Sequence, residues 1–254
     1  MKDPAYLFGP FIGELSWELL HFSPFAIFKK NQDPRIKMIV FTRPERFDLY
    51  GRWVDIFVPL KIANEKYLYK QNGFGLDSFK SETFKLLCMY FKEKYKEKYK
   101  IKDMFYPDIS GFRRKIKWQF LRDNMLYDFK PRRDNFLELQ KLFQFDQNLV
   151  FVDLDFINTV ENYNYVFKKD LIINHDKTTY IGILIELIKR CKFIVSNFSS
   201  IAFKISLLLN IPVIACNENT DDDLIHLINP FNTPVIKCHC IEDGIKIYEN
   251  SFRS

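Results

Sequence analysis

The chain has 254 residues, 47% of them hydrophobic, with 38 Lys plus Arg against 32 Asp plus Glu and a net charge of +6. That length holds one large domain or two small ones. The apolar share excludes a disordered chain, and 8 Gly with 11 Pro exclude collagen-like and linker compositions.

No run reaches the roughly 18 apolar residues of a membrane span, and Met1 to Pro10 lacks the apolar centre of a secretion signal. The expected location is therefore cytoplasmic. Cys88, Cys191, Cys216, Cys238 and Cys240 are odd in number and scattered, which predicts reduced, buried thiols rather than a disulfide framework. The aromatic share is 17%, but Lys, Asn, Ile and Phe are all frequent, so it carries little functional weight.

Ala5–Phe8 is a short apolar run stopped by Gly9-Pro10 and reads as a strand entering a turn. Glu14 to Lys30 has apolar residues at helical spacing, with Pro24 as a kink or break. Lys37–Phe41 and Asp55–Val58 are the next strands, ended by Thr42-Arg43-Pro44 and Pro59. From Tyr90 to Arg133 there are 14 Lys plus Arg against 6 Asp plus Glu. This segment is either a solvated helix face or a basic surface for an anionic partner. The second half begins near Asn148, placing a boundary between residues 145 and 146. Its strands are predicted at Asn148–Val152, within Val166–Ile173, and at Phe193–Val195, Pro212–Cys216 and Pro234–Ile236. Helices are predicted at Thr179–Arg190, capped by Thr178, and at Ser200–Leu209. Continuous apolar strands alternating with helices indicate parallel sheets covered on both faces. The predicted class is α/β, with an N-terminal domain (1–145) and a C-terminal domain (146–254).

Two turns carry candidate chemistry. Gly9-Pro10-Phe11-Ile12-Gly13-Glu14 follows the first strand and opens a helix, a position that lies at the ligand crevice of an open α/β sheet. Gly13 allows close backbone approach, and Glu14 is either a general base or a favourable charge at the helix N-terminus. The second turn, Ser196-Asn197-Phe198-Ser199-Ser200, joins a buried strand to an apolar helix. Its hydroxyls, with the first amides of the helix, suit a diphosphate; capping alone would also explain them. Lys130-Pro131-Arg132-Arg133 supplies guanidinium groups able to pair with a diphosphate, and His175 sits in another loop after a strand. A rival motif is Asp153-Leu154-Asp155 at the end of an apolar strand, with the spacing of a divalent-metal site. Cys238-His239-Cys240 has no second pair nearby, which argues against zinc.

The strand–Ser-x-x-Ser–helix unit, followed by Ile211-Pro212-Val213-Ile214, resembles the donor half of GT-B glycosyltransferases of the heptosyltransferase and fucosyltransferase kind. Gly13-Glu14-Leu15-Ser16-Trp17-Glu18 with Phe41-Thr42-Arg43-Pro44-Glu45 resembles the N-terminal half of virus- and phage-encoded glycosyltransferase-like proteins. The resemblance covers about residues 5–60 and 165–216, and this chain is shorter than typical members. It implies two Rossmann-like domains facing a central cleft, a nucleotide-sugar donor and no cofactor or metal. It further implies Glu14 as base; with the turn and loop chemistry above, Ser196, Asn197, Ser199, Ser200, His175, Arg132 and Arg133 are expected on the donor. Gly13, Trp17 and Arg43 would meet the acceptor, joined by Arg113, Arg114 and Lys115 if that acceptor is nucleic acid, for example a hydroxymethylated base in phage DNA. The glutamate pair that commonly grips the donor ribose is not evident. Two other readings stand: a non-catalytic nucleic-acid-binding or virion-associated α/β module, and a metal-dependent GT-A-like enzyme using Asp153 and Asp155.

Overall fold

The computed structural model describes residues 2–11, 13, 15, 18–60, 82–106, 148–154, 163–171, 180–198, 200–216, 229 and 232–252. The chain forms two compact units, Met1–Lys130 and Pro131–Ser254. The boundary expected at residues 145 and 146 lies outside the described residues.

In the first unit, β1 (Pro4–Phe8), β2 (Lys37–Thr42), β3 (Ile56–Pro59) and β4 (Lys100–Phe105) form one sheet in the order β3-β2-β1-β4. Every pairing is parallel, with Leu7 beside Ile39 and Ile39 beside Ile56. The central strands read as unbroken apolar runs because both faces are covered. Side chains alternate between those faces. Ala5, Leu7, Ile39 and Phe41 point to α2 (Glu82–Lys96), where Phe91 lies 4.4 Å from the Phe41 ring. On the opposite face Phe8 stacks on Phe105 at 5.1 Å and meets Phe25 of α1 (Ser23–Gln32) at 6.4 Å. The abundant phenylalanine is thus core material on both sides of this sheet.

The helix expected from Glu14 is divided. A π-helical turn covers Glu18–Phe22, and α1 starts afterwards with Pro24 in its first turn, where a missing amide costs nothing. Pro24 therefore opens a helix rather than kinking one. The basic segment is described only as far as Tyr106, and its lysines there are exposed. Its beginning is the C-terminal half of α2 and then β4, an edge strand paired to β1.

In the second unit, β5 (Leu149–Val152), β6 (Asn164–Phe167), β7 (Phe193–Ser196), β8 (Val213–Cys216) and β9 (Val235–Cys238) form a second all-parallel sheet, ordered β6-β5-β7-β8-β9. α3 (Tyr180–Ile188) and α4 (Ile201–Leu209) pack together, with α4 against β7 and β8. Ile181, Ile183, Leu184, Ile185, Leu187 and Ile188 are all buried, so α3 is apolar nearly all round. Thr178, its expected cap, lies outside the described residues.

A C-terminal helix that the pattern reading omitted, α5 (Ile241–Phe252), covers the other face through Ile241 and Ile245, packed with Val150, Val152, Phe193, Val195 and Ile214. It approaches so closely that a Cβ on Gly244 would stand 2.5 Å from Ile214 Cγ2 and 2.8 Å from Cys238 Sγ. Cys88, Cys191, Cys238 and Cys240 are free thiols. Burial pushes Cys191 up to about 12 and Cys88 up to about 11. The expectation of burial holds for Cys191, whereas Cys88 and Cys238 are half-buried and Cys240 is exposed and donates to Asp243 Oδ2.

Candidate functional site

In a sheet of this kind, ligands meet the carboxyl ends of the strands where the strand order reverses. That point lies between β1 and β4 in the first unit, and between β5 and β7 in the second.

The loop after β1 is held by the strands on either side. Gly9 donates to Phe105 O at 2.7 Å and Phe11 donates to Phe41 O at 2.9 Å. Gly9 has φ of +100°, and a Cβ there would lie 2.3 Å from Phe41 O, so only glycine fits. Further on, Gly13 O accepts from Arg46 Nη1 at 2.7 Å. Arg46 belongs to a 3-10 segment, Pro44–Leu49, that leaves the end of β2. The same Nη1 lies 2.7 Å from Glu18 Oε2, and Tyr50 Oη donates to Glu18 Oε1 at 2.5 Å. Glu18 is 0%, Tyr50 1% and Arg46 3% exposed, so this is an internal ion pair with a phenol on its far side. Burial pushes the Glu18 carboxyl above the usual carboxylate range, opposed by Arg46, Thr42 and Tyr50. Burial, with the neighbouring Glu18 charge, also raises the Tyr50 phenol. The Arg46 guanidinium carbon sits 5.8 Å from the centre of the Phe11 ring.

Of the acceptor-side residues expected from sequence, Gly13 and half-buried Arg43 flank this network, and Arg43 O caps the 3-10 turn by accepting from the Arg46 amide. Glu14, Trp17, Arg113, Arg114 and Lys115 lie outside the described residues. Arg46 and Tyr50 were missed, and Glu18 was quoted without a role. The available signal was a second arginine three residues beyond Arg43, which places it inside the turn.

In the second unit, Ser196 closes β7 and is fully buried, its Oγ 2.6 Å from Ser200 Oγ. Ser200 is extended (φ −71°, ψ 154°) and its Oγ accepts from the Phe203 amide at 3.0 Å, the geometry of an N-cap. Its hydroxyl is therefore already used by the helix. The other first-turn donors, the amides of Ile201 and Ala202, point the same way along the axis. Asn197 is half-buried between the two serines, its carbonyl accepting from the Ser200 amide at 3.3 Å. α4 ends in a left-handed Asn210 (φ 57°), whose amide bonds back to Ser206 O. Ser199, His175, Arg132 and Arg133 lie outside the described residues.

Asp153 follows β5 at the same edge, and its amide bonds to Val195 O at 2.9 Å. Its buried carboxylate is paired with Lys168 Nζ at 2.6 Å. The first carboxylate of the Asp-x-Asp motif thus carries an ammonium partner, while Asp155 lies outside the described residues. Cys238 and Cys240 do not act together: Cys238 packs against α5 and Cys240 bonds to Asp243. Among the described residues, no three His, Cys, Asp or Glu side chains gather as a metal site. No described helix is long and apolar enough to cross a membrane.

No protein-family model matches the chain, and no curated protein matches its sequence. Among solved structures, it is similar to a glycosyl transferase family 9 protein from Veillonella parvula DSM 2008, with a TM-score of 0.51 and 11% identity over 98% of this chain and 88% of that one. At that identity the likeness is one of fold. The α/β class with two parallel sheets is the one expected.

Proposed function

We propose that the protein is a nucleotide-sugar-dependent glycosyltransferase of the GT-B type. The observation that carries this reading is the pair of parallel sheets, each with a turn suited to substrate at its order reversal, in a fold shared with a glycosyl transferase over nearly the whole chain. In this reading the donor diphosphate takes the first-turn amides of α4, with Ser196, Asn197, Ser199, His175, Arg132 and Arg133 around it. Ser200 contributes by holding the turn. Glu14 accepts the proton of an acceptor hydroxyl as its oxygen attacks the anomeric carbon and the nucleotide leaves. Gly13, Trp17 and Arg43 face the acceptor. No metal takes part, in contrast to the alternative built on Asp153 and Asp155.

Release of nucleotide from UDP-, GDP-, ADP- and CMP-sugars tests this reading. One donor should be hydrolysed slowly without acceptor, the rate should survive EDTA, and Glu14→Gln should lower it by about 10²–10⁴-fold. Loss of turnover in EDTA with recovery in Mn²⁺ would favour the Asp153/Asp155 alternative. Neither binding nor turnover of any donor would favour the non-catalytic module.

A further inference from the structure

We infer that Glu18 and Arg46 are positioning residues for the loop that follows β1: their buried ion pair fixes the backbone at Gly13, the residue before the proposed base Glu14. The catalytic half of this inference rests on the glycosyltransferase reading above.

Three observations support it. First, one guanidinium nitrogen ties the Gly13 carbonyl to the Glu18 carboxylate. Arg46 Nη1 is 2.7 Å from Gly13 O and 2.7 Å from Glu18 Oε2. Second, the clamp is rigid. Tyr50 Oη takes the other Glu18 oxygen at 2.5 Å, and the three side chains are 0–3% exposed, which leaves no solvated alternative position. Its base is firm as well, since Tyr50 and Arg46 leave the end of β2, whose Phe41 O already holds Phe11. Third, an ion pair is a poor way to gain stability here. Removing two charges from water is costly, and apolar residues of similar size often replace such pairs with no net loss. What an ion pair provides and apolar packing does not is a directional donor aimed at one carbonyl. That carbonyl directly precedes the proposed base. Proton transfer is sensitive to placement, and an error of about 1 Å costs on the order of 10²-fold.

The test separates position from stability. Glu18→Leu with Arg46→Met removes both charges and keeps the volume apolar. The double variant should stay folded with a lowered urea midpoint, because the Tyr50 hydroxyl and the Gly13 carbonyl lose their partners. Amides between residues 11 and 15 should exchange with deuterium about tenfold faster or more, while β1 and β2 keep their protection. With an active donor, kcat should fall by about 10–100-fold and donor KM should stay within about twofold. Wild-type kcat in the folded double variant would overturn the inference, because a merely structural pair predicts that result. So would unchanged exchange at residues 11–15. If the double variant does not fold, Tyr50→Phe keeps the ion pair and drops one hydrogen bond. It should raise exchange in the same loop and lower kcat several-fold, and no change in either would refute the clamp. If the wild-type protein turns over no donor, the functional reading fails, and loop exchange still decides whether the clamp exists.

Discussion

Asp55 shows how one side chain joins three segments. It precedes β3, and its Oδ2 accepts from the Met38 amide at 2.7 Å and from Lys30 Nζ at 2.8 Å, while Lys37 Nζ reaches Oδ1 at 3.4 Å. It therefore ties α1, the start of β2 and the entry to β3. Partial burial raises its carboxyl, but the Lys30 and Met38 hydrogen bonds and the Lys37 charge outweigh that and hold it below the usual carboxylate range. A carboxylate lowered in the folded state stabilises above its unfolded pKa, near 3.9, and that contribution is lost as pH falls through the folded value. Asp55→Asn should cost about 1 kcal/mol in urea unfolding at pH 7. The gap between variant and wild type should close as the pH is taken from 7 down through the lowered folded value. A gap of equal size at both pH values would show that packing, not charge, carries the effect.

At the scale of elements, α5 offers a test in which two rules oppose each other. Replacing a helical glycine by alanine normally stabilises by about 1 kcal/mol. Gly244 faces β8 and β9, where a Cβ would stand 2.5 Å from Ile214 Cγ2. Both atoms it would meet belong to packed side chains, so the helix must shift away from the sheet. Overpacking of this kind costs about 1–3 kcal/mol. Gly244→Ala should therefore destabilise the protein by about 1–2 kcal/mol net, read as a lower thermal midpoint. A stabilised variant would show that α5 slides freely on its sheet. The turn before α4 is a second case. The Ser200 hydroxyl serves as a cap, so Ser200→Ala should act on helix stability before it acts on a ligand.

At the scale of the whole molecule, the basic face tests the nucleic-acid acceptor of the proposed reading. α2 and β4 present Lys92, Lys94, Lys96, Lys98, Lys100 and Lys102 to solvent, with Glu93, Glu97 and Asp103 among them. An anionic acceptor such as nucleic acid would use this face together with Arg113, Arg114 and Lys115. Affinity for duplex DNA should then fall with salt, with a log–log slope of about −0.9 per phosphate contacted. Charge reversal at Arg113, Arg114 and Lys115 should flatten the slope by roughly one unit per lost contact and leave donor binding unchanged. Undetectable DNA binding at about 50 mM salt would mark the lysines as a solvated face and shift the acceptor to a carbohydrate or another hydroxyl.

Local chemistry determined much of this protein. Apolar runs such as Met38–Phe41, Phe193–Val195 and Val213–Ala215 admit little except buried parallel strands, because each is apolar on both faces. The Ser200 cap likewise follows from the turn chemistry of its side chain. Other features depended on distant partners. β4 carries lysines on an edge and becomes a strand only because β1 offers it a ladder. α5 has a glycine in its first turn, a weak local signal, and is held by the sheet it covers. The Glu18–Arg46–Tyr50 cluster joins residues 28 and 32 positions apart, so no local periodicity reveals it. A charged residue in sequence reads as solvated until the fold buries its partner beside it, and that decision belongs to the tertiary structure.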